Sequence, residues 1–328
     1  MKRSGPLFLT AAFALAGSSV ISARLLSGHV GTFTITAVSL GFALPALLPL
    51  CRGKLIQTIR QMTLSAGVMI VLQALFGIFL FRLFLLQGVA RTSTAEAGLL
   101  TGATPAVTAS LAWIFLKERV SARSLTGVFC TVAGVLLIQG LATSQLSSDH
   151  LWGNLLVLGA AASESVFNIF SRVSAVKAAK AAPLNPFVQT ALVSALALVF
   201  CIVPMLFEQP LTKLGAIGIT QWLALVWYGV FVTAFAFICW YAGIKRCPAS
   251  TAAAFTGLMP FTSLTLSVLL LGEKAGCEQW VGGALVILGM VLIGLKRHAA
   301  PAGSVLSVPP EIIRPDYDDS IERKSADR

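Results

Sequence analysis

Three ionisable side chains stand inside apolar stretches long enough to cross a bilayer: Arg82, Glu96 and Glu164. A charge at mid-bilayer costs about 2.5 to 3.5 kcal/mol on insertion scales, so such residues point to a pathway or a binding site. Glu164 has no basic residue of comparable depth in the sequence. A carboxyl in that position is suited to accept a proton or to bind a cationic amine. The competing reading is a protonated Glu164 hydrogen-bonded to a neighbouring helix. Asn168 and Ser171 follow at i+4 and i+7 and extend a polar stripe on the same helical face. Arg82 and Glu96 each lie seven residues from a turn near Val89, which puts both about 10 Å deep at 1.5 Å per residue. They are expected to pair across that hairpin, with substrate contact or gating at the outer mouth as the other reading.

Backbone chemistry points to the same region. Pro105 and Pro260 each free the carbonyl four residues earlier, at Thr101 and Thr256. Freed backbone at membrane depth is tolerated only where protein or a water-filled cavity satisfies it. The two kinks, flanked by the hydroxyls of Thr104, Thr108 and Thr262, are candidate cavity walls as well as packing features. Gln73, Trp240 and Tyr241 are weaker candidates for the same cavity, since single polar and aromatic residues in such helices also serve packing and interface anchoring.

Other chemistries find little support. The three histidines, His29, His150 and His298, fall at span ends or in the tail, so neither a metal cluster nor a nucleophile with its base is offered at membrane depth. No G-x-x-x-x-G-K-[ST] loop is present, which argues against an ATP-driven pump. Six scattered cysteines without a C-x-x-C pair indicate packing rather than zinc or disulfides. No cofactor is expected.

The elements that must position these residues follow from composition. The chain is 56% hydrophobic and 11% charged, with a mean hydropathy of +0.85, against about 25% charged in an ordinary soluble domain. The surrounding solvent is therefore lipid. Apolar runs bounded by charge, Gly or Pro predict helices at 6–26, 30–50, 63–86, 93–115, 123–141, 151–171, 186–206, 219–242, 250–271 and 279–295. The basic N-terminal start belongs to a retained first helix rather than a cleaved signal. Lys and Arg divide between alternate connections as 15 to 4, which predicts both termini in the cytoplasm and an even number of spans. The net charge of +11 is thus a topology signal and does not mark a nucleic-acid binder. From Ala299 onward the chain is polar and acidic, as expected of a disordered tail.

Comparing the halves at a shift of 155 residues aligns Thr101, Gly102 and Pro105 with Thr256, Gly257 and Pro260. In the same register Glu118 falls on Glu273, Gly127 on Gly282 and Gly134 on Gly289. The glycine pairs permit close approach between helices. Glu118 and Glu273, next to Lys117, Arg119 and Lys274, are expected to form local salt bridges and end helices. Five helices per half is an odd number, so the second half enters the membrane from the opposite side. The expected fold is an all-α polytopic membrane protein of ten transmembrane helices, built as two inverted five-helix repeats over 1–145 and 146–298, with a tail over 299–328.

The run through Pro105, Trp113-Ile-Phe-Leu-Lys-Glu118, Gly127 and Gly134, with its echo through Pro260, Leu269-Leu-Leu-Gly-Glu273, Gly282 and Gly289, resembles the EamA-type drug/metabolite transporter superfamily. The resemblance implies a ten-helix exporter of small metabolites such as amino acids or their derivatives, working from a central cavity. The expected partners are a small-molecule substrate, the lipid bilayer and protons, with a homodimer as an open alternative to a single copy. The expected location is a bacterial inner membrane. A non-transporting receptor or assembly scaffold is the alternative that pattern alone leaves standing.

Overall fold

A computed structural model describes residues 4–51, 53–104, 106–108, 110, 122–138, 148–180, 185–246, 255 and 258–294. They fall within one unit, Met1–Leu295. The predicted tail, Pro105, Thr256 and Glu118 lie outside the described residues. All regular structure among the described residues is helical. Its elements are α1 (Ser4–Leu26), α2 (Thr32–Cys51), α3 (Lys54–Gln61), α4 (Leu64–Val89), α5 (Thr94–Thr101) and α6 (Ala122–Ile138). They continue with α7 (Ser148–Lys180), α8 (Pro186–Leu206), α9 (Pro210–Ala216), α10 (Ile219–Ile244), α11 (Leu258–Leu271) and α12 (Cys277–Gly294).

Six helices are long and apolar enough to cross a membrane: α1, α2, α4, the His150–Ser171 portion of α7, α8 and α10. Three shorter apolar helices, Leu125–Leu137 within α6, α11 and Cys277–Leu292 within α12, accompany them. Helix starts carry readable caps. Thr63 and Ser93 accept the backbone N–H groups of Ala66 and Glu96, and Asn185 accepts that of Phe187 ahead of Pro186. The helices α3 and α9 are short surface elements outside the predicted ten spans. In α3, Ile56 and Ile59 are exposed beside Lys54 and Arg60.

The predicted span 93–115 is described only in part. Its helix breaks after Thr101, where the N–H groups of Gly102 and Ala103 turn to carbonyls three residues back. Two other helices carry π-helical turns, at Leu75–Leu80 in α4 and Trp227–Phe235 in α10. Such turns insert an extra residue and are frequent at functional sites.

Helices approach closely where glycine allows it. A Cβ on Gly134 of α6 would lie 2.5 Å from the Gly282 carbonyl oxygen of α12. Reciprocally, a Cβ on Gly289 of α12 would lie 2.5 Å from the Gly127 carbonyl oxygen of α6. The four glycines picked out by the 155-residue register thus pack against one another, small residue to backbone, as membrane helices do without a hydrophobic driving force.

Two carboxylates cap helices that are remote in sequence. Glu208 accepts from the N–H groups of Phe33 (3.1 Å) and Thr34 (2.8 Å) and from the Thr34 hydroxyl (2.8 Å). Glu273 accepts from the N–H groups of Thr94 (3.1 Å) and Ala95 (2.9 Å). Each places negative charge on the open donors at the start of α2 or α5. The local salt bridge expected of Glu273 gives way to this long-range cap, because its lone pairs meet unsatisfied donors there. Glu208→Ala is expected to lower stability by about 2 to 3 kcal/mol, and Glu208→Gln, which keeps one acceptor, by about half that. Reversible unfolding in mixed micelles checks the order of the two variants.

Candidate functional site

The cavity of interest lies between α1, α4, α7, α10 and the start of α11. Both π-helical turns reach its wall, through Gly77 and Ile78 in α4 and through Tyr228 and Val232 in α10. Phe13, Phe81, Phe167, Phe237 and Trp240 make the lining largely aromatic. Its polar groups are Ser19, Arg82, Glu164, Asn168, the Tyr228 hydroxyl and the Trp240 indole. Such a mixture of apolar wall and a few convergent polar groups is what a small-molecule site requires.

Glu164 is partly buried on α7. Its Oε2 accepts from the Thr104 hydroxyl at 2.9 Å, and the same hydroxyl lies 2.8 Å from the Thr101 carbonyl oxygen. Ser165 donates to the Thr104 carbonyl at 2.9 Å, fixing this stretch against α7. The break after α5 therefore hands its free carbonyls to hydroxyls beside the cavity. A hydroxyl placed between a carboxyl and a carbonyl serves both protonation states of Glu164. It donates to the carboxylate, or it donates to the Thr101 carbonyl and accepts from the carboxylic acid.

Arg82 is 3% exposed. Its Nη1 donates to Ser39 Oγ at 2.6 Å, and its Nη2 donates to Thr233 Oγ1 and to the Tyr228 carbonyl at 3.4 Å. The guanidinium also lies 4.0 Å from the centre of the Tyr228 ring, a cation–π contact. The π-helical turn of α10 creates this nest: Thr233 bonds back to the Tyr228 carbonyl five residues earlier, and both oxygens face Arg82.

The expected Arg82–Glu96 pair is not formed. Ser93 caps α5 and Glu96 is the third residue past it, so the carboxylate sits at the helix entrance and not at the depth of Arg82. It bonds instead with the Thr92 hydroxyl (2.8 Å), Asn154 Nδ2 (3.3 Å) and Gln279 Nε2 (3.5 Å), and His150 Nδ1 stands 4.0 Å away. The capping-box spacing of Ser93 and Glu96 is the signal that reveals this from sequence.

Among the other predicted residues, Trp240 and Asn168 line the cavity. Gln73 and Tyr241 stand one layer behind it. Gln73 Oε1 accepts from Tyr241 Oη (2.9 Å) and Gln189 Nε2 (3.0 Å), while the Tyr241 ring packs on the lining rings of Phe167 and Phe237. Thr101 reaches the site through Thr104. Pro260 is buried beside Gly102, and the neighbouring Met259 does the lining. Sequence reasoning missed Tyr228, Ser39, Thr233 and Ser19. Their only signal is small or hydroxylated polarity in otherwise apolar helices.

Apolar helices long enough to cross a bilayer, set around a polar, aromatic-walled cavity, define an integral membrane protein. The comparison with known proteins gives the family: the model of the EamA-like transporter family matches residues 3–140 and again 151–295, and the chain belongs to that family. An uncharacterized transporter of Bacillus subtilis, YetK, is 29% identical over 302 residues, covering 90% of this chain and 88% of the relative. A probable amino-acid metabolite efflux pump of Escherichia coli is 26% identical over 195 residues, covering 57% and 64%. One solved crystal structure shares the fold with a TM-score of 0.61 at 20% identity, covering 89% of this chain and 98% of its own.

Proposed function

We propose that this protein exports small metabolites, amino acids or their derivatives, by alternating access through the α1–α4–α7–α10 cavity, with Glu164 as its proton-carrying group. The observation that carries the reading is the placement of Glu164 on the cavity wall beside a hydroxyl able to serve its charged and neutral forms. A carboxyl that gains and loses a proton in turn needs such a partner, because an unsatisfied buried polar group is costly in either state.

The substrate class is supported by the efflux-pump relative. Cavity chemistry agrees with it, since Glu164 and Arg82 offer partners for an ammonium and a carboxylate between aromatic walls. In this reading the chain comprises ten spans in two oppositely inserted five-helix repeats, 1–145 and 146–298, with both termini in the cytoplasm of a bacterium. The two family matches, the reciprocal glycine contacts of α6 and α12 and the 15-to-4 division of basic residues support that arrangement.

Flux of amino acids and amines from proteoliposomes under an imposed proton gradient tests the proposal. Wild-type protein should move a member of the panel faster with the gradient than without it. Glu164→Gln should lose about a hundredfold of the gradient-driven rate, the low end of the range that general acid–base groups contribute, while remaining folded. Unchanged rate and unchanged pH dependence in Glu164→Gln would end the reading.

A further inference from the structure

Arg82 is a buried cation held by neutral groups alone. Its hydrogen-bond partners are two hydroxyls and a backbone carbonyl, and its stacking partner is a phenol ring. Among the described residues no Asp or Glu oxygen lies within 4 Å of it. A guanidinium taken out of water without a counter-charge is strongly disfavoured unless an anion arrives. No described hydrogen bond engages its Nε, and the side chain forms part of the cavity wall.

Besides the Trp240 indole N–H, two further groups at the wall have unmet hydrogen-bonding capacity. The Tyr228 hydroxyl and the Ser19 hydroxyl belong to residues 1% exposed, both line the cavity, and neither has a partner among the described residues. Buried polar atoms are nearly always paired, so orphaned hydroxyls on a cavity wall mark where a ligand supplies the missing partner. These groups come from three helices: Ser19 from α1, Arg82 from α4 and Tyr228 from α10. All three can donate, and Arg presents the planar fork that suits a carboxylate.

We propose that Arg82, Tyr228 and Ser19 form a subsite for the carboxylate of an organic acid or zwitterion, so that an anionic group strengthens binding. The proposal rests on the cavity being the substrate site. Ser39 and Thr233 act as positioning residues, holding the guanidinium in place through Nη1 and Nη2 while the substrate takes the remaining donors.

The test is equilibrium binding to the purified full-length protein of two probes with the same skeleton, 3-phenylpropanoate and 3-phenylpropanamide. Wild-type protein should prefer the acid by about tenfold, the effect of one charge-assisted hydrogen bond. Arg82→Lys and Tyr228→Phe should each shrink that preference. The Phe variant keeps the ring over Arg82 and so separates binding from folding. Equal binding of acid and amide by wild type, or undiminished preference in a folded Tyr228→Phe variant, overturns the subsite. Full competition by inorganic phosphate at the acid's concentration overturns its assignment to an organic carboxylate. Equal binding alongside intact Glu164-dependent flux would remove the subsite and leave the transport reading standing. Retained preference alongside Glu164-independent flux would do the reverse.

Discussion

Gly229→Ala is expected to cost about 3 kcal/mol or more, near the top of the range for overpacking, and to remove transport together with stability. A Cβ at that position would lie 2.0 Å from the Ser39 carbonyl oxygen and 2.9 Å from its carbon. Non-bonded carbon and oxygen settle no closer than roughly 3.3 Å. Because the obstacle is the backbone of α2 and not the tip of a flexible side chain, relief requires α2 and α10 to move apart. That movement pulls Ser39 Oγ from its 2.6 Å bond with Arg82 and disturbs the π-helical turn that supplies the other two acceptors. A buried cation would then lose its neutral cradle. Gly41 is the control: a Cβ there meets nothing within 4 Å, so Gly41→Ala should be neutral or slightly stabilising by helix propensity. Melting temperatures of the two variants in the same detergent check the contrast, and a Gly229→Ala protein that melts like wild type contradicts it.

Much of the helical framework was legible because apolar runs between charges carry the spanning signal by themselves. The runs at 30–50, 186–206 and 219–242 match α2, α8 and α10 closely. The surface helices α3 and α9 were missed since each is shorter than any window that averages hydropathy over a bilayer. Glu164 was legible for a local reason: a carboxylate well inside a single apolar run needs no knowledge of its neighbours to be conspicuous. Thr104, its partner, was visible as one of the hydroxyls near a proline.

Arg82 shows where local reasoning stops. Its partners, Ser39, Tyr228 and Thr233, lie 43 to 151 residues away and include a carbonyl exposed by a π-helical turn. Neither sequence separation nor composition announces such a turn, so the nearest opposite charge, Glu96, was the natural but mistaken partner. The same limit applies to Glu208 and Glu273. A carboxylate in a connection shows that it will seek donors, but which helix start it meets depends on how the helices pack.

Gly134→Val and Gly289→Val are expected to destabilise the protein by about 3 kcal/mol each and by nearly equal amounts, as overpacking against immovable backbone does. The expectation rests on reciprocity. The added Cβ at Gly134 would meet the Gly282 carbonyl oxygen at 2.5 Å, and that at Gly289 would meet the Gly127 carbonyl oxygen at the same distance. Neither oxygen can rotate away, since each belongs to a helical backbone. At Gly289 the Thr131 hydroxyl, tied to the Gly127 carbonyl at 3.0 Å, crowds the site as well. Separating α6 from α12 to admit one valine makes room for part of the other. The double variant should therefore cost clearly less than the two single changes added together. Unfolding free energies in mixed micelles give the comparison: full additivity would mean that the two contacts are independent, and a large inequality between the single variants would mean that the helix pair is not symmetric in energy.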